Sequence, residues 1–318
     1  MTSWLLKAAV QNAISPLPAR DRLNGVLQRL TASTVITDAR FDVKVAQCRR
    51  HLEAYAACHG EGALPSCVLE LGTGWSPIVP VGLALAGVAS VLTADVRPLL
   101  DRRNTERTLK LYMARLQQDR LAAMLPAVDS KRVQQLPLAG AVPATQQAAE
   151  LLKRLGVRVL VGREPERHLP ARSVDLIVSN NTLEHIPPVD LCALLARLRR
   201  LTVPDAVLSH FIDMSDHYAH FDHRISEFNH LRFSDPAWQL VNNRLQYHNR
   251  LLASDYRDIF EDAGFALVSD DRQRGSQQEL SRIKLASRFQ RRDVDDLLTL
   301  RAWITAVAHD ASGGAGGP

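Results

Sequence analysis

Aromatic residues make up only 5% of this 318-residue chain, and the formal net charge is a modest +5. Nucleic-acid binding calls for a basic stripe interleaved with aromatics. The densest basic segment here, from Arg97 to Lys110, also carries Asp101 and Glu106 and reads as a solvated helix face, so no nucleic-acid partner is expected. Long hydrophobic runs are missing too. No stretch reaches the roughly 20 apolar residues that a membrane-spanning helix needs, which excludes a transmembrane segment. The amino terminus, MTSWLLKAAVQNAISPLP, is interrupted by Lys7, Gln11 and Asn12 and is read as a helix packed on the domain rather than a signal peptide. Only four cysteines occur, Cys48, Cys58, Cys67 and Cys192, with neither C-x-x-C pairing nor zinc spacing, so a reducing cytoplasm is the expected compartment. No internal repeat is visible.

What the chain does have is the stretch VLELGTGWSPIVPVGLALAGVASVLTADV, from Val68 to Val96. Val68 to Leu71 is a short apolar run suited to a buried strand, Gly72-Thr73-Gly74 a tight crossing, and Ile78 to Ala86 a helix opened by Pro77 and Pro80. Ala89 to Ala94 is a second strand, ending in Asp95. Glycines at 72 and 74 let the backbone pass close to a ligand, and the free N–H groups of the following helix favour an anionic group. An ionised carboxylate at 95 can accept from both hydroxyls of a ribose. A nicotinamide dinucleotide would meet the same demands. Against it, Trp75, Ser76 and Pro77 fill the place of the third glycine that brings a helix close to a pyrophosphate, and Glu70 would repel phosphates while suiting a cation. The crevice is therefore expected to be negatively lined.

With the later segment VDLIVSNNTLEHIPP, Val174 to Pro188, these residues resemble the class I S-adenosylmethionine-dependent methyltransferases, whose first motif reads like ELGTG and whose second strand ends in an acidic residue. The resemblance implies S-adenosyl-L-methionine as cofactor. It places Glu70, Leu71, Gly72, Thr73 and Gly74 around its methionine part, Asp95 and Val96 at the ribose, Asn180 beside the sulfonium, and Arg163 with Glu164 near the adenine. It departs from the family in lacking the third glycine. FIDMSDHYAHFD, FNHLRFSDPAW and YHNRLLASDYRDIFEDAGF extend the likeness to a bacterial subgroup associated with polysaccharide and secondary-metabolite pathways.

The fold class expected is α/β: a Rossmann-like, seven-stranded, mostly parallel sheet with helices on both faces, an N-terminal helical extension and a helical insertion after the second strand. Residues 1–63 are read as the extension, with helices Trp4 to Ile14, Arg20 to Leu30 and Val43 to Cys58. Residues 64–309 form the methyltransferase domain, and 310–318 a flexible tail. The insertion, about 98–156, carries helices Asn104 to Met124 and Thr145 to Leu155 and exceeds what a crossover needs, so it is either a lid or a helical buttress. Further strands are expected at Val157 to Val161, Val174 to Ser179, Ala206 to Ile212, Phe265 to Ser269 and, antiparallel, Ala302 to Ala308. Asp190 is read as the cap of one helix and Ser254 as the start of another.

The densest titratable chemistry follows the fifth strand, between His210 and His230. In open α/β sheets the carboxyl edge is where ligands bind. Methyl transfer to a hydroxyl needs positioning and removal of one proton, tasks suited to a histidine oriented by an aspartate. His217 is assigned as base, Asp213 or Asp216 as its partner, and His210 as a substrate-binding or alternative base residue. His217, His220 and His223 recur every three residues with Asp213 and Asp216 upstream, which leaves Mg or Zn as an alternative, yet the pattern matches no zinc signature and no metal is expected. His185 is read as orienting its loop or shaping the acceptor pocket, Trp75 as core, and Trp238, Asn242 and Tyr247 as acceptor-side groups. The acceptor implied is a small molecule or glycan, most simply through a hydroxyl. A carbon or nitrogen acceptor, a non-catalytic cofactor-binding protein, a nicotinamide oxidoreductase and a homodimeric state remain open alternatives.

Overall fold

The computed structural model describes residues 4–14, 35–136, 148–162, 164–243 and 247–309. Seven strands form one sheet in the order β3-β2-β1-β4-β5-β7-β6. They are β1 (Cys67–Leu71), β2 (Ser90–Asp95), β3 (Val157–Val161), β4 (Val174–Asn180), β5 (Thr202–Asp213), β6 (Phe265–Arg274) and β7 (Thr299–Ala308). The pairs β1–β2, β1–β4, β2–β3 and β4–β5 are parallel. β7 runs antiparallel to both β5 and β6. This is the Rossmann-like arrangement expected, and the order reverses between β1 and β4, where such sheets open a crevice at their carboxyl edge.

The long helices are α1 (Trp4–Ile14), α2 (Asp38–His59), α3 (Ile78–Leu85), α4 (Arg102–Gln117), α5 (Pro188–Leu201) and α6 (Ala253–Asp262). On one face of the sheet, α2, α3 and α4 bury Phe41, Val45, Leu52, Leu83 and Tyr112 against Val68, Val178 and Val207. On the other, α5 and α6 bury Leu191, Leu195, Leu198, Tyr256 and Phe260 against Leu69, Ile177 and Leu208. Strand residues alternate between these two cores, as a sheet covered on both faces requires. α3 is buried on every side, which matches its uniformly apolar sequence. α1 packs away from the sheet, setting Trp4 and Ala8 against Tyr218, with the Trp4 N–H donating to Asp222 at 3.2 Å.

Several boundaries differ from the sequence reading. The helix expected from Asn104 to Met124 stops at Gln117 and resumes at Leu121, because Asp119 takes φ 55° and turns the chain. Pro188 opens α5 and Asp190 sits in its first turn rather than capping it. α6 starts at Ala253, its first turn closed by Asp255 accepting from the Leu252 N–H at 2.9 Å; Ser254 lies inside it. The helix expected to reach Leu155 ends at Lys153. In the insertion, Leu109, Tyr112, Leu121, Leu125, Leu151 and Leu155 are all buried in the first core. Its described part packs into that core. Residues 137–147 of the insertion, the helix expected from Arg20 to Leu30 and the tail 310–318 lie outside the described residues.

Candidate active site

At the carboxyl end of β1 the chain must cross over β4 and enter α3, and two glycines make that crossing. Gly72 has φ 80°, and a Cβ there would lie 2.2 Å from Thr182 Oγ1, so both conformation and space require glycine. Gly74 has φ 64°. Its N–H donates to Asp95 Oδ2 at 3.1 Å, while Oδ1 of the same carboxylate accepts from the Arg97 N–H at 3.1 Å. Asp95 thus ties the crossing to the end of β2; its half-buried carboxylate lies outside the lining of the crevice over that crossing.

A crevice of about 210 Å³ opens over this crossing, lined by Glu70, Gly72, Thr73, Gly74 and Asn180, by Trp75 and Ser76, and by Arg40 and Lys44 of α2. Of the cofactor residues read from sequence, Glu70, Gly72, Thr73, Gly74 and Asn180 share it. Leu71 is buried beneath it and Val96 is exposed beyond Asp95. Glu164 is exposed and pairs with Arg167 at 2.8 Å. Arg163 lies outside the described residues. Trp75 is half-buried and lines the crevice, which corrects its reading as core.

The expectation of a negatively lined crevice also needs correction. Glu70 is 4% exposed and accepts from Thr93 Oγ1 at 2.5 Å. Burial pushes its carboxyl up to about 7; Thr93 and Lys44 oppose the shift and Asp95 adds to it. Lys44 faces it from α2, its pKa lowered by burial and partly restored by Glu70 and Glu184. The crevice therefore holds opposite charges, the pattern that an amino acid zwitterion requires. Sequence reasoning missed Arg40 and Lys44. Their signal was a pair of cations at i, i+4 on one helix face, which is unfavourable unless anions face it.

Asn180 is held by His51 of α2, whose ring bridges Asn180 Nδ2 at 3.0 Å and Ser209 Oγ at 2.8 Å. Asn180 Oδ1 is buried without a hydrogen bond. His51 is fully buried, and burial first, then the field of His210, keeps its pKa well below the usual imidazole value.

Next to the crevice, the loop after β4 and the segment after β5 converge on a histidine cluster. The His217 ring lies 5.0 Å from that of His185, 5.5 Å from His220 and 4.9 Å from His248, while His230 lies 5.3 Å from His248. Burial, then His185, pushes His217 down to about 3. Glu184, fully buried, has neither carboxylate oxygen in a closed hydrogen bond, and burial pushes it up to about 8. Tyr247 contributes its carbonyl, which accepts from His185 Nδ1 at 2.6 Å. Trp238 Nε1 and Asn242 Nδ2 donate to the His248 carbonyl at 3.2 and 3.1 Å, so both pin this segment rather than face a ligand.

The catalytic assignments are redistributed by this geometry. The Asp213 carboxylate pairs with His220, while the Asp213 backbone is what bonds to His217: Nε2 of His220 is 3.7 Å from Asp213 Oδ2 and 3.2 Å from Ser215 Oγ. Asp213 also accepts from the Ser215 N–H at 3.0 Å and faces Arg301 at 3.5 Å. Asp216 is turned away from the cluster, accepting from the Tyr218 N–H and from Asn229 Nδ2, each at 2.8 Å. It is a loop-fixing residue. His210 is fully buried on the opposite face, bonded to Ser179 Oγ at 2.7 Å and stacked on Phe260 at 5.5 Å, with no path to a ligand. Strand alternation is the reason: His210 shares a face with Leu208 and Ile212, in the core under α5 and α6.

Fold and crevice together define a Rossmann-like nucleotide-cofactor protein. The family described as "Methyltransferase domain" matches residues 44–270, more than two thirds of the chain. The chain belongs to it, and so to the class I S-adenosylmethionine-dependent methyltransferases. Similar solved structures include a putative sarcosine dimethylglycine methyltransferase from Galdieria sulphuraria, with 13% identity over 86% of each chain and a TM-score of 0.44. Another is magnesium protoporphyrin IX methyltransferase from Synechocystis PCC 6803 with bound S-adenosylhomocysteine, with 14% identity over 86% of this chain and 88% of that one and a TM-score of 0.42. A third is the CurJ carbon methyltransferase, 11% identical over 78% of this chain with a TM-score of 0.38, of which the chain spans 50%. These are likenesses of fold. No curated protein matches the chain. Among the described residues, no helix is long and apolar enough to cross a membrane.

Proposed function

We propose that the protein transfers a methyl group from S-adenosylmethionine to a hydroxyl of a small-molecule or glycan acceptor, in a cytoplasmic biosynthetic setting. The observation that carries this reading is the opposed pair Glu70 and Lys44 across the glycine crossing. Glu70 receives the α-ammonium of the cofactor and Lys44 its carboxylate, while Asp95 accepts from the ribose hydroxyls. The crevice, at about 210 Å³, is smaller than the ~300–1,000 Å³ of complete ligand sites and so accounts for the amino-acid end. The nucleoside lies outward, over Asp95 and Val96.

This pose points the methyl group past Asn180 toward the histidine cluster. The acceptor oxygen then forms its bond to the methyl carbon as the carbon–sulfur bond breaks, the electron pair remaining on sulfur to give the neutral thioether. The hydroxyl proton passes to His220, which is exposed and has Asp213 beside it to stabilise the imidazolium. Holding donor and acceptor in line supplies most of the rate.

Isothermal titration with S-adenosylhomocysteine tests the assignment. One site per chain is expected, weakened at least tenfold in Lys44→Met, as the loss of one charge-assisted contact of about 1.5–3 kcal/mol requires. Absence of binding at millimolar ligand sinks the reading.

A further inference from the structure

Beside the cofactor crevice, the geometry points to a divalent metal site built from Glu184, His185 and His217. One ligand atom from each of these three residues lies within 4.8 Å of the others. Three donors bound to one ion at about 2.1 Å lie about 3.0–3.6 Å apart, so closure asks for an approach of at most about 1–2 Å, within reach of side-chain rotation.

Two independent features support an ion there rather than a chance cluster. Glu184 is fully buried, and neither Oε1 nor Oε2 closes a hydrogen bond, the backbone of Glu184 and Asp213 giving the carboxylate only partial relief. A buried carboxylate so poorly matched is costly and is normally relieved by a partner. It sits in the loop after β4, with the two imidazoles on its ligand side. The second feature is the outer arrangement. His185 donates from Nδ1 to the Tyr247 carbonyl at 2.6 Å, which fixes the tautomer and leaves the Nε2 lone pair free to ligate. The Tyr247 carbonyl is itself carried on the segment anchored by Trp238 and Asn242. His248, buried with both ring nitrogens unbonded, stacks edge-on to His217 at 4.9 Å and completes the surround.

Two imidazoles and one carboxylate suit a first-row ion such as Co²⁺, Zn²⁺, Fe²⁺ or Mn²⁺, and three protein ligands leave coordination positions open. His185 is exposed, so the open positions can be reached from outside the fold, where they would take an oxygen ligand such as a hydroxyl. Metal binding itself does not rest on the methyl-donor reading.

The test uses untagged full-length protein, stripped with a chelator and titrated with Co²⁺, read by visible absorption and by isothermal titration, with Zn²⁺ and Mg²⁺ compared. One Co²⁺ per chain is expected, with absorption bands of histidine-bound cobalt. Glu184→Gln and His217→Gln should each weaken it by more than about tenfold. His223→Gln, at an exposed histidine of the same segment, should leave it unchanged. S-adenosylhomocysteine binding by the same variants reports that they fold; if either variant fails there, His185→Gln, at the exposed corner, carries the test. No saturable Co²⁺ binding up to about 1 mM, or binding indifferent to all three ligand substitutions, overturns the site. Wild-type protein that binds Co²⁺ but not S-adenosylhomocysteine would instead overturn the methyl-donor reading alone.

Discussion

Replacing Glu70 with glutamine isolates the charge on which cofactor recognition turns. Its carboxyl is raised from 4.5 to about 7 with burial as the main cause, so the folded protein without ligand holds it protonated below about 7 and ionised above. The stability linked to this group is complete below the unfolded value of 4.5 and is lost as pH rises through about 7. A displacement of about 2.5 pH units corresponds to roughly 3 kcal/mol, an order-of-magnitude figure for a group 4% exposed. Glu70→Gln should therefore match the wild type in urea unfolding at about pH 4 and exceed it by up to ~3 kcal/mol at about pH 8. The ligand reverses the preference, because an ammonium requires the ionised carboxylate. Affinity of the wild type for S-adenosylhomocysteine should fall about tenfold for each pH unit below about 7. The variant should bind about 10–100-fold more weakly at pH 8 and lose this pH dependence. A variant no more stable than wild type at pH 8, or a wild-type affinity constant from pH 8 to pH 5.5, would refute the reasoning.

Other substitutions separate the remaining parts of the site. Asp95→Ala removes both the ribose acceptor and the tether to the Gly74 N–H, and titration should show S-adenosylhomocysteine binding reduced beyond detection. Gly72→Ala meets Thr182 at 2.2 Å in a left-handed conformation and should cost about 2–5 kcal/mol, read as a fall in thermal midpoint. His220→Gln should leave S-adenosylhomocysteine affinity intact while lowering kcat about 10²–10⁴-fold once an acceptor is in hand; an unchanged kcat removes it as the base. Arg250→Met should destabilise the fold by about 2–4 kcal/mol without a specific effect on cofactor affinity, since the buried guanidinium holds the His230 and Phe233 carbonyls and Asp235.

The seven strands were legible from their apolar cores, and Asp95 and the two glycines mark a topology as well as a ligand. β5 from Thr202, β6 to Arg274 and β7 from Thr299 run past those cores, through largely polar stretches that carry no apolar pattern. Glu70, Thr73 and Asn180 could be placed for the same reason: they belong to strand ends whose order in the sheet follows from the motif. Arg40, Lys44 and His51 could not, because they reach the site from a helix that precedes β1 and is docked by Phe41, Val45 and Leu52, whose spacing says only that the helix is buried on one face. The histidines after β5 were visible as a group but not as individuals. Which of them face the acceptor depends on strand parity, which buries His210, and on loop bonds, which turn Asp216 toward Asn229 and Asp213 toward His220. The role of His185 was set by a segment more than sixty residues away, through the Tyr247 carbonyl. Trp75, whose bulk was compatible with either core packing or covering a ligand and was read as core, walls the crevice.

A crystal soaked with S-adenosylhomocysteine tests the central claim most directly. The account predicts its amino-acid end between Glu70 and Lys44, its ribose on Asp95 and its sulfur beside Asn180, facing the histidine cluster. Density for the ligand in another part of the molecule, or a crevice that stays empty at saturating ligand while a dinucleotide fills it, would contradict it.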